Sequence, residues 1–389
     1  MRAKQDDAVD GLRGVTLLAI VTTHFVPPDF FAFNIPKPAS AVLLVAAGYF
    51  VMALLMKHAA ALDGPWRLRA RTIGGLLVSR HIRIWPVIAI VIALYCVLAF
   101  VFPDPVTTQI YDTWPLYLAY LGNIPKILYG AQAFPAQFWL VSAQEQMILC
   151  YALGVIAVGL SRANRVLPWL IGFGIAGRFV MTLLFMPHNP ALGLETLVSA
   201  VDALALGMTA RLAVEKAISR NLVRRTNLTA ALCLGLLWMT MPNLWSVYFT
   251  LVPLIVALLS CALIVTLTDP MRTHRFNSGI LIWPPFVVLG QMSLTLFFTH
   301  PLIATLLRLV WAQYIDTPLP WWQLAVAGPL LALAFAFVFF RVVEVPIRRL
   351  RAGMRAARLP IVDRDADDAQ SSAPSPQHSL QWLSTSLGQ

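Results

Sequence analysis

The chain has 389 residues, of which 59% are hydrophobic and only 12% charged, and its mean hydropathy is +0.72. A soluble domain carries about a quarter charged residues, so a soluble enzyme, a secreted disulfide scaffold and a disordered protein are all excluded. The net charge of +11 lies beside apolar runs, where basic residues are a topology signal; nucleic acid is not expected as a partner, and the lipid bilayer is.

Taken in chain order, the apolar runs break at Pro, Asn and charge clusters into ten predicted spans near 12–27, 39–57, 84–102, 138–160, 166–186, 194–214, 227–241, 245–268, 284–310 and 320–341. About 18 apolar residues suffice for a crossing. Asp6, Asp7 and Asp10 precede the first run and no small-residue cleavage site closes it, so it does not read as a removable signal. The long run 227–268 is divided at Met241-Pro242-Asn243, because Pro cannot continue a helix and Asn favours a turn. Residues 114–129, aromatic and interrupted by Gly122, Asn123 and Pro125, read as re-entrant or interfacial. With the N-terminus inside, 25 of the 29 basic residues fall on the cytoplasmic side; an eleventh crossing would turn most of them outward.

The expected fold is therefore an all-α polytopic membrane protein with about ten transmembrane helices and both termini cytoplasmic, in the cell's inner (plasma) membrane. Residues 1–350 form the membrane domain, and 351–389 a cytoplasmic tail, basic at first and disordered from about Asp363, with no soluble domain appended. Cys96, Cys150, Cys233 and Cys261 lie within apolar runs without paired spacing and read as small hydrophobes. No segment has metal-ligand spacing, since His58, His81 and His274 are scattered, and no metal is expected.

Ionisable residues inside spans are costly and point to function. His24, Glu145, Arg178, Asp202 and His300 all fall in the outer half of the membrane when counted from the predicted helix ends, which suggests a shared cavity. A buried ion pair between helices accounts equally well for Arg178 with Asp202 or Glu145.

Arg13 and His24 are eleven residues apart, almost three whole turns, so both project from nearly one face, roughly 16 Å apart along the axis. An arginine at the cytoplasmic mouth and a histidine deep inside suit a ligand with an anionic head and a reactive far end, the shape of an acyl-coenzyme A. A second basic cluster, Arg80-His81-Ile82-Arg83-Ile84-Trp85-Pro86, enters the third span. Arg80 and Arg83 share a helical face, and arginine forks suit phosphate; a topology anchor that attracts anionic lipid is the plainer reading.

Six segments in order resemble the acyltransferase-3 family of integral membrane acyltransferases, spanning residues 10–349. Asp10-Gly11-Leu12-Arg13-Gly14 through His24 is similar to its Arg-x10-His signature, and Val45-Ala46-Ala47-Gly48-Tyr49-Phe50 to its Ser-Gly-aromatic segment, with Ala47 where Ser is usual. Arg80 to Pro86 resembles its Arg-x2-Arg-x2-Pro segment. Trp139-Leu140-Val141-Ser142-Ala143-Gln144-Glu145-Gln146 resembles its Trp-Ser-Leu-Ser-Val-Glu-Glu-Gln block, with Gln144 replacing the first Glu and Leu140 a Ser. Ser293 to His300-Pro301 and Glu344-Val345-Pro346-Ile347-Arg348 resemble its last two segments.

The resemblance implies transfer of an acyl group, acetyl or succinyl, from cytoplasmic acyl-CoA to a hydroxyl of a cell-surface or exported polysaccharide, alongside polysaccharide biosynthesis or export machinery. It gives His24 the catalytic role, as general base or as a transient acyl carrier. Glu145 becomes the orienter or imidazolium stabiliser, and Arg13, Arg80 and Arg83 the ligands of the donor's phosphates. Ser142, Arg178, Asp202 and His300 are expected to line the cavity, Pro301 offering a helix bend as another explanation of the last. Glu344 reads as a structural partner for neighbouring arginines. The rival expectation is a transporter of a lipid-linked sugar or small anion, which outer-half charges also suit; a structural or sensing protein does not require so many buried ionisable groups.

Overall fold

The computed structural model describes residues 2–26, 36–130, 133–185, 196–215, 218–240, 245–269, 279–314, 321–351 and 353. Among them there is no strand. Helices α1 (Arg2–His24), α2 (Pro36–Met56) and α3 (Trp66–Val101) are followed by two short ones, α4 (Ile110–Leu118) and α5 (Asn123–Tyr129). Then come α6 (Phe138–Val158), α7 (Leu167–Phe185), α8 (Val198–Val214), α9 (Arg220–Thr240) and α10 (Trp245–Leu267). The short α11 (Pro284–Gln291) leads into α12 (Ser293–Tyr314) and α13 (Trp321–Phe339), which a π-helical turn over Phe340–Glu344 prolongs.

Seven of these helices, α2, α3, α6, α7, α10, α12 and α13, are long and apolar enough to cross a membrane. Their neighbours share the same outward chemistry: Trp169, Phe173 and Leu184 on α7, Leu232 and Met239 on α9 and Leu330 on α13 are each more than half exposed. An apolar outer surface of that extent is stable against lipid and not against water. The chain is an all-α, multi-pass membrane protein.

Two elements depart from the sequence reading. The basic stretch expected as the end of a cytoplasmic loop is instead the first half of α3, a single helix of 36 residues, roughly 54 Å long at 1.5 Å per residue. Arginine, leucine and alanine are strong helix formers, and Pro86 is absorbed inside the helix. The run expected as one span over 284–310 is divided at Met292 into α11 and α12. Residues 114–129 lie in α4 and α5, joined through Tyr120, whose φ of 57° breaks the helix. Met241-Pro242-Asn243, His274 and the tail from 354 onward lie outside the described residues.

Two close approaches hold the bundle. On α2 and α8 the glycines answer one another: a Cβ on Gly48 would run into the carbonyl of Leu204, and one on Gly207 into the carbonyl of Val45. Between α1 and α11, a Cβ on Gly14 would meet the Phe286 carbonyl and one on Gly290 the Asp10 carbonyl. Small residues let backbones touch where lipid offers no hydrophobic drive for association. Through these contacts α1 packs on α2, α11 and α12, turning one face of α1 inward.

Candidate functional site

Three contacts fix the register of α3 against α6. Arg69 Nη2 donates to the Ala157 carbonyl at 3.1 Å, Arg80 pairs with Glu145, and Gln137 Nε2 donates to the Tyr95 hydroxyl at 2.8 Å. Numbers rise on one helix as they fall on the other, so the two run antiparallel. Arg80 therefore meets the eighth residue of the 21 in α6, inside the bundle rather than at its mouth. Counting from the ends of apolar runs misplaced it, because a charge with a partner opposite needs no water and ends no helix.

Arg80 lines a cavity of about 320 Å³, together with Arg13, Arg83, Arg348, Asp10 and Gln144. Ala47, Phe50, Ser293 and Phe297 complete the part that matters for its chemistry. Each arginine is held differently. Arg13 Nη1 donates to Asp10 at 2.7 Å, its Nη2 donates to the Ser293 hydroxyl, and its guanidinium lies over the Phe50 ring at 5.4 Å. Arg80 donates through Nε to both Glu145 oxygens, at 2.9 and 2.8 Å, and through Nη2 to Oε1 at 2.5 Å. Arg348 donates to Glu344 at 3.0 and 2.6 Å and to the Gln291 carbonyl at 2.6 Å.

Arg83 is the least engaged of the four. Its Nη2 lies 3.5 Å from Glu344, and its buried Nε has no hydrogen-bond partner among the described residues. Glu344, fully buried, also accepts from the Thr295 hydroxyl at 2.6 Å. Four guanidiniums thus face three carboxylates, Asp10, Glu145 and Glu344, and the ionised set carries one positive charge in excess.

The other expected site residues do not gather in this cavity. Arg178 and Asp202 pair with each other at 2.6 Å, 3% and 0% exposed, between α7 and α8. Gly174 makes room for that contact, since a Cβ there would strike the Asp202 backbone. Ser142 accepts from the Gly122 N–H at 2.8 Å, and Gln146 Nε2 donates to the Tyr120 carbonyl at 2.7 Å, so this face of α6 holds the α4–α5 junction. The single outer cavity expected for His24, Glu145, Arg178, Asp202 and His300 is replaced by three separate pairings: Glu145 and Asp202 each take the nearest guanidinium, of Arg80 and Arg178, and His24 meets His300 ring to ring.

His24 and His300 are brought together. Their rings touch edge to face, 4.8 Å between centroids and 64° between planes. His300 is fully buried on α12, and Arg308 Nη2 donates to the His24 carbonyl at 3.1 Å. Phe297 links the pair to the cavity: it lines the cavity wall, and its ring lies 6.1 Å from that of His300. Arg13 contacts Ser293 and His24 contacts His300, so α1 and α12 run parallel, with the arginine layer at one level and the histidines further along.

Asp10, Gln144, Ser293, Phe297 and Arg348 were not singled out as site residues from the sequence. The signals for four of them were present, since Asp10 opens the segment ending in His24, Gln144 lies in Trp139 to Gln146, Ser293 opens the segment ending in His300-Pro301 and Arg348 closes Glu344-Val345-Pro346-Ile347-Arg348. Among the described residues no group of three His, Cys, Asp or Glu side chains is arranged to hold a metal ion. No protein-family model, curated protein or solved structure matches this chain significantly.

Proposed function

We propose that the chain is a membrane O-acyltransferase, moving an acetyl or succinyl group from cytoplasmic acyl-CoA to a hydroxyl of a cell-surface or exported polysaccharide. The observation that carries this reading is the arginine-walled cavity whose wall residue Phe297 also lies against His300, the partner of His24. An anionic group is held at one level and a base stands at the next, and a thioester on a long arm spans the two.

In this reading Arg83 is the first ligand of the donor's phosphates, because its guanidinium keeps unused donors at the cavity wall, and Arg13 is the second. Arg80, held by Glu145 through three hydrogen bonds, shapes the wall instead. The hydroxyl proton passes to a ring nitrogen of His24 as the oxygen attacks the thioester carbonyl carbon. The carbon–sulfur bond breaks, and the thiolate leaves with its electron pair and takes the proton back from His24. Ten crossings with both termini in the cytoplasm of an inner-membrane protein belong to the same proposal, as does a partnership with polysaccharide export machinery.

Mass spectrometry of surface glycans tests it. Cells carrying His24→Ala should hold normal amounts of membrane-inserted protein and lose the O-acyl groups; full acylation would overturn the reading. Binding of a nonhydrolysable acetyl-CoA analogue to the purified protein separates it from a transporter of lipid-linked sugar, which would ignore the analogue.

A further inference from the structure

A histidine that acts as a base needs its tautomer fixed, since the nitrogen presented to the substrate must carry the lone pair. The carboxylate expected for that task, Glu145, is committed to Arg80 through three hydrogen bonds. What lies against His24 is His300. Its Nδ1 stands 2.9 Å from the Leu296 carbonyl, and a carbonyl only accepts, so Nδ1 carries the hydrogen. The neutral ring then presents a bare lone pair at Nε2, and that atom is buried with no hydrogen-bond partner among the described residues. An acceptor left unmade in such a place is costly, and the contact of its ring with that of His24 gives it a use.

We propose that His300 is the positioning residue of this site, its Nε2 accepting the N–H of His24 and so holding the other His24 nitrogen as the base toward the acceptor hydroxyl. The inference rests on the acyl-transfer reading above. At 4.8 Å between centroids the ring edges are within reach of an N–H···N bond after a small rotation of either ring. Once His24 has taken the hydroxyl proton, its N–H turns more acidic and the same contact strengthens. A neutral imidazole does this without the desolvation that a bare carboxylate at the same depth would cost.

The test uses full-length protein in inverted membrane vesicles supplied with acetyl-CoA, with release of free CoA thiol as the readout. His300→Phe should lower kcat about tenfold to a hundredfold, a part of what a general base supplies, and leave the KM for acetyl-CoA unchanged. His300→Gln, which returns an acceptor near the Nε2 position, should recover to within a few-fold of the parent, and His24→Ala should abolish release. An unchanged kcat in His300→Phe, a glutamine variant no better than phenylalanine, or a change confined to KM would each overturn the proposal. Where the phenylalanine variant fails to reach the membrane, glutamine is set against His300→Asn, whose acceptor falls near Nδ1 instead; equal rates for these two overturn it. If the parent releases no CoA beyond vesicles lacking the protein, or His24→Ala releases as much as the parent, the acyl-transfer reading itself fails and this inference falls with it.

Discussion

Arg80 and Glu145, 65 residues apart in the chain, form a two-pronged ion pair inside the bundle, where α3 and α6 pass each other. Both side chains are mostly shielded, 24% and 11% exposed. Removing one partner strands the other charge, whereas replacing both with apolar groups of similar size removes the problem. Glu145→Ala should therefore destabilise the protein by about 3 kcal/mol, and the double variant Arg80→Met, Glu145→Met should regain most of that. Thermal aggregation in detergent measures both; a double variant no better than the single would show that the pair is not the source of the loss.

Arg83 differs from its neighbours in that its carboxylate contact is a long one, 3.5 Å to Glu344, and its buried Nε has no hydrogen-bond partner among the described residues. Arg83→Gln should leave the melting temperature within a degree or two and weaken binding of an acyl-CoA analogue about tenfold or more, the worth of one charge-assisted hydrogen bond of about 1.5–3 kcal/mol. Arg80→Gln should show the reverse pattern, with the loss in stability. Isothermal titration beside a melting curve reads both quantities on the same samples.

Arg178 and Asp202 belong to the join between α7 and α8, not to the arginine cavity. Asp202→Ala should cost about 3–5 kcal/mol by leaving a buried guanidinium without its carboxylate. Arg178→Met with Asp202→Leu should restore folding and leave CoA release intact. Loss of release by a well-folded double variant would return this pair to the functional site.

Gly48 and Gly207 stand where two backbones touch. Gly207→Val should force α2 and α8 apart and destabilise the protein by about 1–3 kcal/mol, while Gly235→Val on α9, where a Cβ meets nothing within 4 Å, should cost well under that. Comparing the two melting curves checks whether the close approach, and not glycine content in general, matters.

The apolar runs that gave the long helices were readable because lipid tolerates so few charges that spans and loops separate in composition alone. That same reasoning failed at α3, where Arg67 to Arg83 looked like a loop: the helix continues, and Arg69, Arg80 and Arg83 find a carbonyl and two carboxylates along its length. The break at Met292 left no trace in hydropathy, since both sides of it are apolar. Arg13, Arg80 and Arg83 were named from their residue types and do share one cavity. Asp10 lies three positions from Arg13, but the partners of Arg80 and Arg83 were not legible, because Glu145 and Glu344 reach them across 65 and more positions of chain, a distance that spacing within one helix does not encode. His24 and His300 were each picked out for lying in the wrong solvent; that they touch is a fact of how α1 leans on α12.

The reciprocal glycines have a mechanical meaning. Helices separated by a layer of side chains slide by letting rotamers hop, but α2 and α8 have no such layer where Leu204 and Val45 lie against them. Shearing one past the other would drive the Leu204 and Val45 carbonyls off the glycines and against neighbouring side chains at two places at once. The pair moves as a single stiff plank, and α2, which contributes Ala47 and Phe50 to the cavity wall, is its inner edge.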